Sequence, residues 1–125
     1  MATVLIVEDE FAIADLLEMA LTDEGYRVLT AANGRQGLDR LAAGPRPDLV
    51  ITDYMMPVLD GAGMLRAMRA TEAHRDVPCI VMSAVPEANV RERLGGYAAF
   101  VRKPFRIAAV VQLVATVLGT AQPGS

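Results

Sequence analysis

Short apolar runs alternate with longer stretches of helical spacing from one end of this chain to the other. Residues 4–7, 28–31, 49–52, 80–82 and 99–101 are apolar segments of strand length. Four of them are near-continuous in the way a parallel sheet requires when both of its faces are covered. Between them, residues 12–24 place Ile13, Leu16, Leu17, Ala20 and Leu21 at helical spacing, with Gly25 next as a cap. Residues 34–43 form a second helical pattern, ended by Gly44-Pro45, and residues 62–71 a third carrying Met64, Leu65 and Met68. Residues 87–94 give a short fourth helix before Gly95-Gly96, and residues 106–118 a fifth before Gly119. Five strands and five helices in strict alternation predict an α/β fold, a doubly wound five-stranded parallel sheet. The flavodoxin-like (βα)5 form of such a sheet has strand order 2-1-3-4-5, which is the order expected here. One domain over 1–120 and a tail at 121–125 account for the length.

Composition narrows the class. With 53% hydrophobic residues the chain is not of a disordered type. No apolar run approaches the roughly 18 residues that span a bilayer, and no charged-then-apolar signal pattern opens the chain. The single cysteine, Cys79, sits in an apolar strand as a small hydrophobe, and a reducing cytoplasm is the expected compartment. A net charge of −3 gives no reason to expect nucleic-acid binding.

In a doubly wound sheet, ligands sit outside the carboxyl ends of the strands, at the switch point between the first and third. The first strand ends in Glu8-Asp9-Glu10, the third in Asp53, the fourth in Ser83 and the fifth in Lys103. Each has an ordinary alternative. The three acids suit the start of a helix, Asp53 suits a turn, Ser83 suits a helix cap, and Lys103 could be a solvated lysine. Lys103 is nonetheless the only lysine among 12 basic residues. Their joint arrival at one rim favours chemistry: clustered carboxylates call for a hard divalent cation such as Mg²⁺, a carboxylate can attack phosphorus, and Lys103 and Ser83 can contact phosphoryl oxygens.

Glu8-Asp9, Asp53-Tyr54-Met55-Met56-Pro57 with Asp60-Gly61, Ser83-Ala84 and Lys103-Pro104-Phe105, in this order, resemble the receiver domain of bacterial response regulators, over essentially the whole chain. The spacing is similar to that of the single-domain chemotaxis regulators. The resemblance implies that Asp53 is the phosphoacceptor in a two-component phosphorelay. Asp9, Asp53 and the backbone carbonyl of Met55 would bind Mg²⁺, with Glu8 acting through water. Lys103 would contact the phosphoryl group across a cis bond to Pro104, and Ser83 and Phe100 would be the switch residues. The donor would be a histidine kinase or histidine phosphotransfer protein, and the output a protein contact through the fourth helix, fifth strand and fifth helix rather than nucleic acid or membrane. The chain would promote its own phosphorylation and dephosphorylation without being an enzyme that releases a product.

Four features depart from the family pattern. The stretch from Ser83 to Gly96 is short and contains Pro86, so it is expected to be the least ordered part of the domain. Tyr97-Ala98-Ala99 stands where small and acidic residues are usual. The last helix is apolar nearly throughout, which suggests a partner face, a homodimer included. Met55 and Val85, two residues after Asp53 and Ser83, offer nothing to orient a water, so a slowly hydrolysing phosphorylated state is expected. Three other readings are open to these residues. A phospho-aspartate hydrolase would need a second acid close after Asp53, where Tyr54 and Met55 stand. A flavodoxin-type carrier would need a phosphate loop in place of Glu8-Asp9-Glu10, and a pseudo-receiver usually lacks an acid or the lysine.

Overall fold

The computed structural model describes residues 1–121, so the tail expected at 121–125 lies outside the described residues except for Ala121. The elements in chain order are β1 (Thr3–Val7), α1 (Phe11–Asp23), β2 (Arg27–Ala31), α2 (Gly34–Ala43), β3 (Leu49–Asp53), α3 (Gly61–Ala70), β4 (Cys79–Ser83), α4 (Glu87–Arg91), β5 (Ala99–Arg102) and α5 (Ile107–Ala121). The strands are all parallel, in the order β2-β1-β3-β4-β5.

Alternation along the strands divides the core into two layers. Leu5, Val7, Val50, Cys79 and Val81 face α2, α3 and α4, meeting Leu41, Met64, Leu65, Met68 and Val90. Val4, Ile6, Leu49, Ile51, Ile80, Met82 and Val101 face α1 and α5, meeting Leu17, Leu21, Val110, Val114, Val117 and Leu118. β1, β3 and β4 are buried along their whole length. Each fully buried large aliphatic side chain stabilises the fold by about 1.5–3 kcal/mol. No helix among the described residues is long and apolar enough to cross a membrane.

The helix ends follow local chemistry. Asn33 caps α2 by accepting from the Gln36 N–H at 2.9 Å, and Asp60 caps α3 by accepting from the Gly63 N–H at 2.8 Å. Gly25, at φ +95°, turns the chain out of α1 as expected.

Two helix boundaries differ from expectation by more than one residue. α4 ends at Arg91, not at residue 94: the N–H groups of Arg93 and Leu94 both turn back to the Val90 carbonyl, and Leu94 tucks into the core. α5 runs past Gly119 to Ala121. One glycine costs a helix only about 1 kcal/mol, and Val117 and Leu118 anchor its last turns in the core. The apolar character of α5 also has an inward explanation, because it packs against both the sheet and α1. Among the residues of α5 whose side chains are described, the exposed ones are Ala108, Ala109, Gln112, Ala115, Thr116 and Gly119, with no large aliphatic among them.

Candidate functional site

Parallel register brings the expected residues to one rim. Val7 pairs with Thr52 and Asp53 with Met82, so β1 runs out into Glu8 and Asp9 beside Asp53, and Ser83 follows on the adjacent strand. Ser83 pairs with Arg102, which puts Lys103 one residue further along β5. The Lys103 N–H donates to the Ser83 carbonyl at 2.8 Å, and the Lys103–Pro104 peptide is cis.

Asp53 and Glu8 are only 6% and 2% exposed, whereas Asp9 is open to solvent. The Lys103 ammonium donates to Glu8 Oε1 at 2.8 Å and to Asp53 Oδ2 at 3.1 Å, with Glu10 Oε1 at 4.0 Å. The second Glu8 oxygen accepts from the Glu10 N–H at 3.1 Å. Among the described residues no buried side-chain nitrogen or oxygen lacks a hydrogen-bond partner.

Burial raises the Glu8 carboxyl to about 7, against the opposing pull of the Lys103 hydrogen bond. Burial likewise raises Asp53, again opposed by Lys103. Burial alone would lower Lys103, but its bonds to Glu8 and Asp53 outweigh that and hold its pKa above the ordinary lysine value. One ammonium thus serves two desolvated carboxylates.

Glu8, Asp9 and Asp53 each offer a carboxylate oxygen within 4.8 Å of the others. Three hard oxygen donors against a single ammonium leave negative charge at the site. That donor set fits a divalent cation of the Mg²⁺ class. A buried carboxylate nucleophile, an adjacent ammonium and a cation site are together suited to phosphoryl transfer, which is governed by positioning and charge stabilisation.

The loop after β3 holds Asp53 in place. The Tyr54 N–H donates to the Met82 carbonyl at 2.8 Å, and the Gly61 N–H donates to the Tyr54 carbonyl at 3.0 Å. A Cβ on Gly61 would run into the Asp53 carbonyl oxygen, so only glycine permits this approach. Ser83 is buried, and its hydroxyl accepts from the Val85 N–H at 2.8 Å, tying it to the segment that leads into α4. Phe100 is half-buried beside Val81, its ring 6.3 Å from that of Tyr97. Met55 is exposed and Val85 partly buried.

Of the residues quoted from the sequence, Glu8, Asp9, Asp53 and Lys103 come together, with the shortest bond of Lys103 running to Glu8. The side chains of Ser83, Phe100 and Met55 are engaged elsewhere: Ser83 binds the Val85 N–H, Phe100 meets Tyr97, and Met55 is exposed. Sequence reasoning did not find the contacts of Tyr97, whose hydroxyl meets Glu87 and Arg91 of α4. Its only signal there was the unusual aromatic at position 97.

Comparison with known proteins agrees with this arrangement. Residues 4–115 match the family model described as the response regulator receiver domain. The chain is 36% identical over 124 residues to the response regulator MprA of Mycolicibacterium vanbaalenii, covering 96% of this chain and 52% of MprA. Its fold is similar to the signal receiver domain of a signal transduction histidine kinase from Syntrophus aciditrophicus, with a TM-score of 0.87, 28% identity, and coverage of 100% of this chain and 96% of that one. It is similar also to the receiver domain of a sensor histidine kinase from Pseudomonas aeruginosa with a magnesium ion coordinated in the active site cleft, with a TM-score of 0.84, 32% identity, and coverage of 94% and 98%. The chain belongs to the receiver domain family of two-component response regulators. It spans about half the length of MprA.

Proposed function

We propose that this chain is a phosphorylation-dependent signalling switch in which Asp53 accepts a phosphoryl group from phosphohistidine. The observation that carries the reading is the buried Asp53 carboxylate, 3.1 Å from the Lys103 ammonium and clustered with Glu8 and Asp9. Asp9, Asp53 and the Met55 backbone carbonyl would hold Mg²⁺, with Glu8 acting through water. The related Pseudomonas receiver, which has magnesium in its cleft, supports that assignment. Bound there, Mg²⁺ would neutralise carboxylate and phosphoryl oxygens.

The remaining work falls to the chain. An Asp53 oxygen attacks phosphorus; a P–O bond forms as the P–N bond of the donor breaks, and the imidazole leaves with the bonding pair. Lys103, kept charged by its two carboxylates, turns one hydrogen bond to a phosphoryl oxygen. The Ser83 hydroxyl leaves the Val85 N–H and donates to another. The added charge of about −2 biases the α4–β5–α5 surface between two states, and that surface is read by a protein partner. The donor would be a histidine kinase or histidine phosphotransfer protein. The outcome is a binding state and not a released product. A second copy docking on α5 would meet exposed Ala108, Ala109, Gln112, Ala115 and Thr116 beside half-buried Ile107, Val111 and Leu113, and sedimentation with and without Mg²⁺ and beryllofluoride tests it.

The decisive experiment is incorporation of phosphate from acetyl phosphate, with and without Mg²⁺, in wild type and Asp53→Asn. Mg²⁺-dependent labelling confined to the wild type is expected. Equal or absent labelling of both proteins would overturn the reading in favour of phosphate-independent partner binding.

A further inference from the structure

α4 is five residues long, and such a helix does not hold itself. Its N-terminal flank, Pro86, makes no side-chain cap bond, and Val90 is its only buried residue. What closes it is a three-residue cluster. The Tyr97 hydroxyl donates to Glu87 Oε2 at 2.9 Å, and Arg91 Nε donates to the same oxygen at 3.1 Å and to the Tyr97 hydroxyl at 3.2 Å. Glu87 and Arg91 are an i,i+4 pair with the acid on the N-terminal side, the favourable order. An exposed pair of this kind contributes little alone. The half-buried Tyr97 adds a third member from outside the helix, fixed in the loop that leads into β5.

The other end of Tyr97 is a ring, and it rests on Phe100 at 6.3 Å between centroids, tilted by 48°. Phe100 stands in register with Val81, two residues before Ser83 on β4. α4 is therefore held from both ends by groups that lead back to the rim. The Ser83 hydroxyl binds the Val85 N–H ahead of the helix, and Phe100 supports Tyr97 behind it.

We propose that Tyr97, Glu87 and Arg91 form a latch on α4 that is released through Phe100. Phenylalanine at position 100 has no hydroxyl with which to report its own position. In this chain the aromatic three residues earlier carries the hydroxyl, and the ring contact between them carries the motion. When Phe100 moves, Tyr97 either follows and gives up Glu87 or stays and loses its ring support. In the first case Glu87, the first residue of α4, loses a partner; in the second the latch loses the ring that backs it. The release step rests on the phosphorylation reading above; the latch itself does not.

Amide exchange of the full chain tests both parts, free and with Mg²⁺ and beryllofluoride as a phosphoryl mimic. In the free protein, Tyr97→Phe keeps the ring and removes the hydroxyl. It should speed exchange at Asn89 and Val90 by about 3- to 10-fold, the change a single net hydrogen bond corresponds to, with exchange in β3 unchanged. Glu87→Gln, which retains an acceptor, should give a smaller increase. Unchanged α4 exchange in Tyr97→Phe would overturn the latch. With the mimic, wild-type α4 amides should accelerate several-fold, and those of Tyr97→Phe, already released, should change little. An equal response in both proteins would overturn the coupling. A mimic that alters no amide near Asp53 would overturn the phosphorylation reading, while the free-protein comparison would still decide the latch.

Discussion

The rim around Asp53 and the α4 segment are joined by one strand, β4, yet they are built in opposite ways. At the rim, β1, β3 and β4 are buried from end to end, and Lys103, Glu8 and Asp53 satisfy one another inside that frame. α4 has one buried side chain and a cluster of surface hydrogen bonds. The chemical end is fixed because charge must be held against desolvation. α4 is thin, and under the proposed function it is the element whose two arrangements would differ by little free energy. The fold places them side by side: Ser83 ends β4 at the rim, and its hydroxyl binds the Val85 N–H ahead of α4.

The contrast is broken most severely by removing the ammonium. Lys103→Ala leaves two buried carboxylates facing each other without the ammonium, Glu8 keeping only the Glu10 N–H. In metal-free buffer at neutral pH it should lose about 3 kcal/mol or more of unfolding free energy, read by urea denaturation. Added Mg²⁺ should return part of that loss by supplying the missing positive charge. A variant as stable as wild type without metal would mean that the rim is not electrostatically strained.

Next in size is Gly61→Ala. Its new methyl would strike the Asp53 carbonyl, and the backbone there is pinned by the Tyr54–Met82 and Gly61–Tyr54 bonds. A cost of about 2 kcal/mol is expected, together with slower phosphorylation by acetyl phosphate because the nucleophile is displaced. A stability loss with unaltered labelling would place the strain away from Asp53.

The pH dependence of the metal-free protein sharpens the same point. Glu8 lies at about 7 in the fold against 4.5 in the unfolded chain, and Asp53 is raised too. Between these values the unfolded chain has released a proton that the folded chain retains, so stability falls as pH rises from about 4.5 to 7. Glu8→Gln removes this contribution. Its unfolding free energy relative to wild type should therefore grow more favourable from pH 5 to pH 7.5. A pH-independent difference would show that burial does not perturb Glu8.

Much of this was legible in the chain. Strict alternation implied a parallel sheet, and its order was that of a common doubly wound type. The rim followed from reading the residue that ends each strand, since a parallel sheet leaves little freedom in where its carboxyl ends lie. Side-chain caps at Asn33 and Asp60 fix the starts of α2 and α3, which fell within a residue of expectation. What was not legible depended on packing across distance. α4 is shorter than its pattern because Leu94 is drawn into the core, and α5 is longer because Val117 and Leu118 hold it past Gly119. The apolar run of α5 suggested a partner face, and packing accounts for part of it: Val110, Val114, Val117 and Leu118 turn inward, while Ile107, Val111 and Leu113 are half-buried. The Lys103–Glu8 bond joins residues 95 apart, and the Tyr97 cluster needs a loop whose path no local signal fixes.

The smallest expected effect lies where the rim loop itself is imperfect. Val58 adopts φ +70°, a left-handed conformation that a β-branched residue enters at a cost, and its side chain is 81% exposed. Almost no packing offsets that cost. Val58→Gly relieves the strain, although glycine gives back part of the gain through the greater freedom of the unfolded chain. A net stabilisation of about 0.5–1 kcal/mol is expected, read as a rise in the urea midpoint with an unchanged slope. Phosphorylation by acetyl phosphate tells which side of the comparison Val58 serves. If labelling is unchanged while stability rises, the strain is incidental to the rim. If labelling slows, the left-handed turn at Val58 helps present Asp53, and the fixed end of the molecule holds strain of its own.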